Sequence, residues 1–294
     1  MKKPKNIVLT PPLSRVRLYQ LRCTLVLTAV PLLCACALTA LLLFFAEMNL
    51  AFLETGGLMV SDAIRQAYFD QVMMEFGDIW ELLAVLLLAT FSVSWLVMSW
   101  AVSPFVQGEK LLKSAIARRG PGKESNLWLS ESPTLTRVVC NLARRVGEPT
   151  FAFNDFPVVE YEFNFRFFFK FVIVFYAISL LTGYVLGSAF DAVYLKNVNL
   201  AITLIKMKQF GHFFIAQESI LRTMAFTVTG LSCLSYLVMG AYITRYMSNM
   251  VFVFKRAIRE QHFPLRLRDS DVYHSFAKAI SDAAEAAGLS KKKN

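Results

Sequence analysis

Side chains that could ligate a metal or act as a general acid or base are few in this chain. The three histidines are His212, His262 and His274, and none has a second histidine four residues away on the same helix face. The sequence also lacks a phosphate-binding glycine loop, the GxSxG elbow of hydrolases and the kinase signature set. We therefore expect no metal, no cofactor and no enzymatic activity.

Two closely spaced pairs of reactive residues have structural explanations. Cys34 and Cys36 could form a redox or metal pair, but no second cysteine pair and no histidine partner accompanies them. We expect both to be small packing residues in a reducing environment. Glu160 and Glu162 lie close to Arg166 in the sequence, and we expect ion pairs at a membrane interface rather than a general acid and base.

The elements that must position any functional residue are membrane helices. Hydrophobic residues make up 56% of the chain and charged residues 18%, against roughly 45–50% and about 25% in soluble domains. Four stretches reach the length of about 20 residues that crosses a hydrocarbon core as a helix. They are residues 23–46, 82–105, 167–190 and 224–243.

Basic residues predict the orientation of these spans. They are concentrated in the N-terminal arm, in the segment between the two hairpins and in the tail, whereas the first outer loop is acidic. The positive-inside rule then places both termini in the cytoplasm of a multi-pass bacterial inner-membrane protein. Because the net charge of +10 follows the membrane edges, we expect the lipid bilayer as a partner and no nucleic acid.

The chain contains one long unit twice. The segment WLVM from Trp95 returns as YLVM from Tyr236, and KSAI from Lys113 returns as KRAI from Lys255. Each copy is a membrane hairpin followed by a cytoplasmic helix, an extended connector and a second helix. Since both copies enter the membrane in the same direction, the duplication predicts parallel repeats related by a pseudo-two-fold axis along the membrane normal.

Apolar residues in both cytoplasmic units follow the 3-4-3 spacing of a helical bundle seam. The predicted seam residues are Phe105, Gly108, Leu112, Ala115, Leu135, Val138 and Leu142 in the first copy, and Met247, Met250, Phe254, Ala257, Tyr273, Phe276, Ile280 and Ala283 in the second. Phe263, Leu265 and Leu267 alternate with other residues, as an extended connector packed on a bundle requires. The acidic segment at Asp271 is typical of a helix start.

This arrangement resembles the HAMP linker of bacterial transmembrane receptors over residues 103–146 and 244–287. Pro104 and Glu109 are similar to the proline and glutamate near the start of that family's first helix, whereas Arg245 stands where the second copy should have a proline. A HAMP linker is a parallel four-helix bundle made by two chains. The resemblance implies that one chain supplies all four helices here, either as a pseudo-dimeric monomer or within a homo-oligomer. The alternative is two ordinary amphipathic hairpins below a membrane bundle.

The predicted fold is an all-α membrane protein with four transmembrane helices in two parallel repeats, each followed by a HAMP-like helix–connector–helix. The predicted segments are a cytoplasmic arm (1–22), a hairpin (23–105), a HAMP-like unit (106–147), an interfacial linker (148–166), a second hairpin (167–243), a second HAMP-like unit (244–288) and a basic tail (289–294).

The predicted function is a signal relay or scaffold that couples a membrane or periplasmic state to another membrane or cytoplasmic protein. No kinase, cyclase or coiled-coil signalling domain follows the second unit in this sequence, and we therefore expect the message to pass to a partner. The most exposed candidates for partner contact are Trp128, His262, Arg266, Asp271 and Tyr273.

The alternative function is that of a channel or transporter subunit, with a pathway between the two halves. A hydrated cavity lined by Ser92, Thr182 and Ser232 would favour it, although polar residues at this depth also hold helices together. The segment from Gly183 to Gly187 is a GxxxG motif, and we expect it to pack one helix closely against another.

Overall fold

A computed structural model describes residues 15–55, 61–118, 133–147, 164–205, 211–269 and 271–289 of the chain. The helices in these ranges are α1 (Arg15–Thr55), α2 (Asp62–Arg118), α3 (Pro133–Gly147), α4 (Phe165–Ile205), α5 (Gly211–Arg259) and α6 (His274–Ala286). The described residues contain no β-strand. The predicted all-α class is therefore confirmed.

Four of the helices are long and apolar enough to cross a membrane. The spanning stretches are Arg15–Phe52, Arg65–Ala117, Phe165–Lys196 and Phe214–Arg259, and each contains one of the predicted spans. The helices also continue well beyond the apolar stretches: α2 begins at Asp62 and α4 ends at Ile205. The described residues next to the apolar stretches are thus helical extensions of the spanning helices.

Contacts divide the chain into two compact units. Unit 1 comprises the described residues within Met1–Thr24, Trp95–Phe167 and Ile243–Asn294, and unit 2 those within Leu25–Ser94 and Phe168–Tyr242. Unit 2 therefore holds the C-terminal parts of α1 and α4 and the N-terminal parts of α2 and α5. Unit 1 holds the opposite ends of these four helices together with the two short helices α3 and α6.

Aromatic side chains and glycines form the contact between α4 and α5 in unit 2. The rings of Phe171 and Phe175 have centroids 4.4 Å apart, and that of Tyr236 is 4.7 Å from Phe175. A β-carbon added to Gly183 would overlap Thr229 Oγ1 and lie 2.7 Å from its Cγ2. The two helices therefore pack closely at the first glycine of the GxxxG motif, as predicted, since only a residue without a side chain fits there.

Polar contacts fasten the helix ends of unit 1. Gln20 Nε2 donates a hydrogen bond of 2.6 Å to Ser99 Oγ, which joins the start of α1 to α2. Asn164 Oδ1 accepts a hydrogen bond of 3.1 Å from the Phe167 amide, so that the asparagine caps α4. The Asn164 amide also donates to Ser248 Oγ of α5 at 3.3 Å. These bonds fix where the chain enters α1 and α4.

Candidate functional site

The predicted seams are buried in unit 1. Thirteen of the fifteen predicted seam residues are in its buried apolar core: Phe105, Leu112, Ala115, Leu135, Val138, Leu142, Met247, Phe254, Ala257, Tyr273, Phe276, Ile280 and Ala283. Gly108 is buried as well, whereas Met250 is only half-buried. The buried face of α5 passes through Ser248 and Ile258, which leaves Met250 at its edge. Met250 therefore contacts the core from its edge and is not enclosed by it.

Four aromatic side chains from three helical segments meet at the centre of this core. We call Phe105 of α2, Phe254 of α5, and Tyr273 and Phe276 at the start of α6 the aromatic hub. The ring centroid of Phe105 lies 6.2 Å from that of Phe254 and 5.6 Å from that of Phe276. The centroids of Phe254 and Phe276 are 5.0 Å apart, and all three pairs are edge to face. Edge-to-face pairs at such separations stabilise beyond the area they bury. The hub thus joins α2 to both α5 and α6.

Tyr273 is buried completely, so the prediction that it is an exposed contact residue is wrong. Its exposed fraction is 0%, and its ring centroid lies 4.2 Å from that of Phe105. Burial raises the pKa of the Tyr273 hydroxyl above its ordinary value, and the neighbouring Tyr246 adds to this effect. The phenol therefore remains protonated. The heptad spacing, which placed Tyr273 in the seam, was the better guide.

A polar contact beside the hub also links α2 and α6. Ser275 Oγ donates a hydrogen bond of 3.0 Å to Glu109 Oε2, across 166 residues of sequence. Glu109 also pairs with Lys113 one turn later on α2. Next to Glu109, a β-carbon on Gly108 would lie 2.9 Å from the Phe276 ring and 3.5 Å from Val139 of α3. Glu109 was marked by the family resemblance, but nothing in the sequence marked Ser275.

The second connector follows the predicted alternation. Phe263, Leu265 and Leu267 are half-buried, and the intervening residues, including Arg266, are exposed. The amide of Leu265 donates a hydrogen bond of 2.9 Å to Ser281 Oγ of α6. His262 and Arg266 therefore lie exposed on a segment whose other face is fixed to α6. The first connector, with Trp128, lies outside the described residues.

Asp271 does not cap the last helix, contrary to prediction. Helix α6 begins at His274, Tyr273 is the N-cap residue, and no side chain makes a capping hydrogen bond. Asp271 instead belongs to a turn, in which its amide donates to the Arg268 carbonyl and its carbonyl accepts from the His274 amide. The buried Tyr273 ring occupies the position from which a short polar side chain would cap.

We expect Ser281→Ala to loosen the connector. The substitution removes the acceptor of the half-buried Leu265 amide, which should cost about 1–2 kcal/mol of local stability. Limited proteolysis should then cut residues 262–269 faster than in the unmodified protein. Asp282→Ala, at an exposed neighbouring position, is the matched control and should leave the cleavage rate unchanged. Equal rates for the two variants would contradict the role of this hydrogen bond.

The residues proposed for a membrane pathway are only partly together. Thr182 and Ser232 line one cavity in unit 2 with Cys34, and Cys34 Sγ lies 3.1 Å from Ser232 Oγ. Ser92 is exposed, and its hydroxyl donates to the Leu88 carbonyl at 2.9 Å. Ser92 thus faces away from the cavity that the other two residues share.

Of the remaining candidates, Cys34 is buried and Cys36 exposed, so the two cysteines do not form a pair. Among the residues that the structure describes, no three histidine, cysteine or acidic side chains lie together as a metal site. Glu160 and Glu162 are outside that part of the chain.

Comparison with models of known protein families, with curated proteins and with solved structures gave no match to this chain. The likeness to HAMP linkers therefore depends on the residue pattern alone.

Proposed function

We propose that this protein is a non-enzymatic signal relay or scaffold of the bacterial inner membrane, in which a HAMP-like bundle passes a membrane state to a partner protein. The aromatic hub is the observation that carries this proposal. Phe105 and Phe254 belong to helices that also contain spanning stretches, and Phe276 belongs to the short helix α6. The hub is therefore a place where a movement of two spanning helices would reach a third, separate helix.

The helices have the continuity that such a relay needs. Helix α2 runs without interruption from Asp62 to Arg118, and α5 from Gly211 to Arg259. A rotation or register shift of α2 or α5 would move the ring of Phe105 or Phe254 against Phe276. Because the core is close-packed, it would respond by switching between discrete packings. The hydrogen bond between Glu109 and Ser275 would break or re-form in the same movement.

The exposed face of the second connector is the proposed output surface. His262 and Arg266 lie on it in the cytoplasm of the proposed topology, and the hydrogen bond from Leu265 to Ser281 ties their segment to α6. A displacement of α6 would therefore carry this surface with it. The partner is proposed to be another membrane or cytoplasmic protein.

We expect Arg266→Glu to release that partner. Charge reversal at an interface contact should weaken binding about tenfold or more, measured by quantitative mass spectrometry after affinity purification in mild detergent. Lys278→Glu, an exposed charge reversal on α6 outside the connector, is the control and should retain the partner. Absence of any specifically enriched protein, or equal recovery with both variants, would contradict the proposal.

A crosslink between residues 109 and 275 tests the pseudo-dimeric monomer. Cysteines at these positions, in a chain whose five natural cysteines are replaced, should be joined within one chain by a short bifunctional thiol reagent. Mixing isotope-labelled and unlabelled chains separates the outcomes, because a crosslink within a chain carries one label only. Crosslinks found only between chains would contradict the pseudo-dimer. If the crosslink also changes partner binding, the bundle acts as a relay; if it does not, the bundle acts as a scaffold.

The second candidate function is that of a channel or transporter subunit. The cavity that Thr182 and Ser232 share is the observation that favours it. Ion or solute flux through liposomes containing the purified protein, above the level in empty liposomes, would support this function over the relay.

A further inference from the structure

We propose that unit 2 binds a single water molecule among α1, α4 and α5, held by the hydroxyl groups of Ser179 and Thr182. The cavity that these residues line leaves about 10 Å³ for the centre of a water-sized sphere, which is about what one water molecule needs. Cys34 contributes from α1, and Thr229 and Ser232 from α5. The site lies among three of the helices that are long and apolar enough to cross a membrane.

The hydroxyls of Ser179 and Thr182 are buried and need a hydrogen-bond partner. Ser179 is 1% exposed and Thr182 3%, and neither hydroxyl has a hydrogen-bond partner among the residues that the structure describes. A buried hydroxyl without a partner costs about 1–3 kcal/mol. Water bound in the cavity would remove this cost at both positions.

Several other hydroxyls in the spanning helices bond to their own helix. Thr90, Thr227, Thr229 and Ser235 each donate to the carbonyl four residues earlier in their own helix, at 2.7 or 2.8 Å. This back-bonding is the usual way in which a serine or threonine satisfies its hydroxyl inside a helix. Ser179 and Thr182 line the cavity without making such a bond, and they do so from positions three residues apart, on one face of α4.

The chemistry of the lining favours water over an ion. Its polar atoms are neutral hydroxyl, thiol and backbone groups, and no carboxylate or cationic side chain is among them. An ion without a countercharge at membrane depth would cost several kcal/mol. A neutral molecule that both donates and accepts hydrogen bonds matches the two free hydroxyls and the Cys34–Ser232 pair.

Two substitutions give opposite results for a hydrated and an unhydrated cavity. Thr182→Val and Ser179→Ala remove the hydroxyls with little change of shape. If water is bound, each variant loses a hydrogen bond, and the midpoint of thermal unfolding in detergent should fall by about 2–4 °C. If the cavity is dry, each substitution removes an unsatisfied polar group, and the midpoint should rise or stay unchanged.

Matched controls come from hydroxyls that bond to their own helix at exposed positions. Thr227→Val and Ser235→Ala should each shift the midpoint less than their cavity counterparts. An experimental structure at a resolution that shows ordered water gives a second, independent measurement on the unmodified protein. Density within hydrogen-bond distance of both hydroxyls would support the site. A rise in stability of either cavity variant, or a well-resolved cavity without density, would overturn it.

Discussion

We expect Gly183→Ala to lower the free energy of unfolding by about 3 kcal/mol, near the upper end for overpacking a close contact. The new β-carbon would overlap Thr229 Oγ1 and lie 2.7 Å from its Cγ2. Because Thr229 Oγ1 is also bonded to the Ala225 carbonyl at 2.7 Å, its side chain cannot turn aside without losing that bond. Helices α4 and α5 would have to move apart. Thermal and detergent-induced unfolding of the purified protein measures the loss.

The same substitution at Gly230 is the control, since nothing lies within 4 Å of a β-carbon there. Gly230→Ala should leave the protein unchanged or slightly more stable, because alanine favours a helix over glycine. Adding Thr229→Ala to Gly183→Ala removes both of the nearest atoms and should recover part of the stability. If Gly183→Ala and Gly230→Ala unfold alike, the close approach of α4 and α5 is contradicted.

We expect Phe276→Ala to cost about 3–5 kcal/mol in unit 1, the usual range for truncating a fully buried phenylalanine. The ring is 0% exposed and contacts Phe105 and Phe254, so its loss empties the middle of the aromatic hub. Helix α6 should then detach from the bundle. The measurement is the yield of the crosslink between cysteines at 109 and 275, together with proteolysis of the connector at residues 262–269.

Lys278→Ala is the control for this second experiment. Lys278 is exposed on the same helix, two residues from Phe276, and its replacement should affect neither crosslink yield nor cleavage. A Phe276→Ala variant that crosslinks as efficiently as Lys278→Ala would show that the hub does not hold α6. Phe276→Leu, which retains most of the apolar volume, should lie between the two.

Large apolar residues at regular spacing were the predictable part of the bundle. Phe105, Phe254 and Phe276 lie in seams because a heptad pattern and a bulky side chain both favour burial. The contact between Glu109 and Ser275 could not be predicted in the same way. It joins two polar residues that are 166 positions apart, and neither pattern nor composition encodes which turn of one helix faces which turn of another.

The rotation of the spanning helices was similarly beyond the sequence. In a membrane, residues that face lipid are as apolar as those that face other helices; Tyr184 and Phe226 are 76% and 78% exposed. Hydropathy therefore located the spans but did not reveal their buried faces. The sequence places polar residues such as Thr182 inside the predicted spans. That Thr182 lines the same cavity as Cys34, however, depends on the rotation of both α1 and α4.

The aromatic hub also determines when unit 1 can be completed during synthesis. Tyr273 is the N-cap residue of α6 and Phe276 lies within it, and α6 follows all the other described helices in the chain. Phe105 and Phe254 therefore leave the ribosome before Tyr273 and Phe276, the rings that cover them. The core of unit 1 around α2 and α5 remains incomplete until those later residues have been made. A product truncated before residue 273 would present those two uncovered rings to chaperones and proteases. Interrupted translation of this protein thus leaves a product that the cell's quality control can recognise.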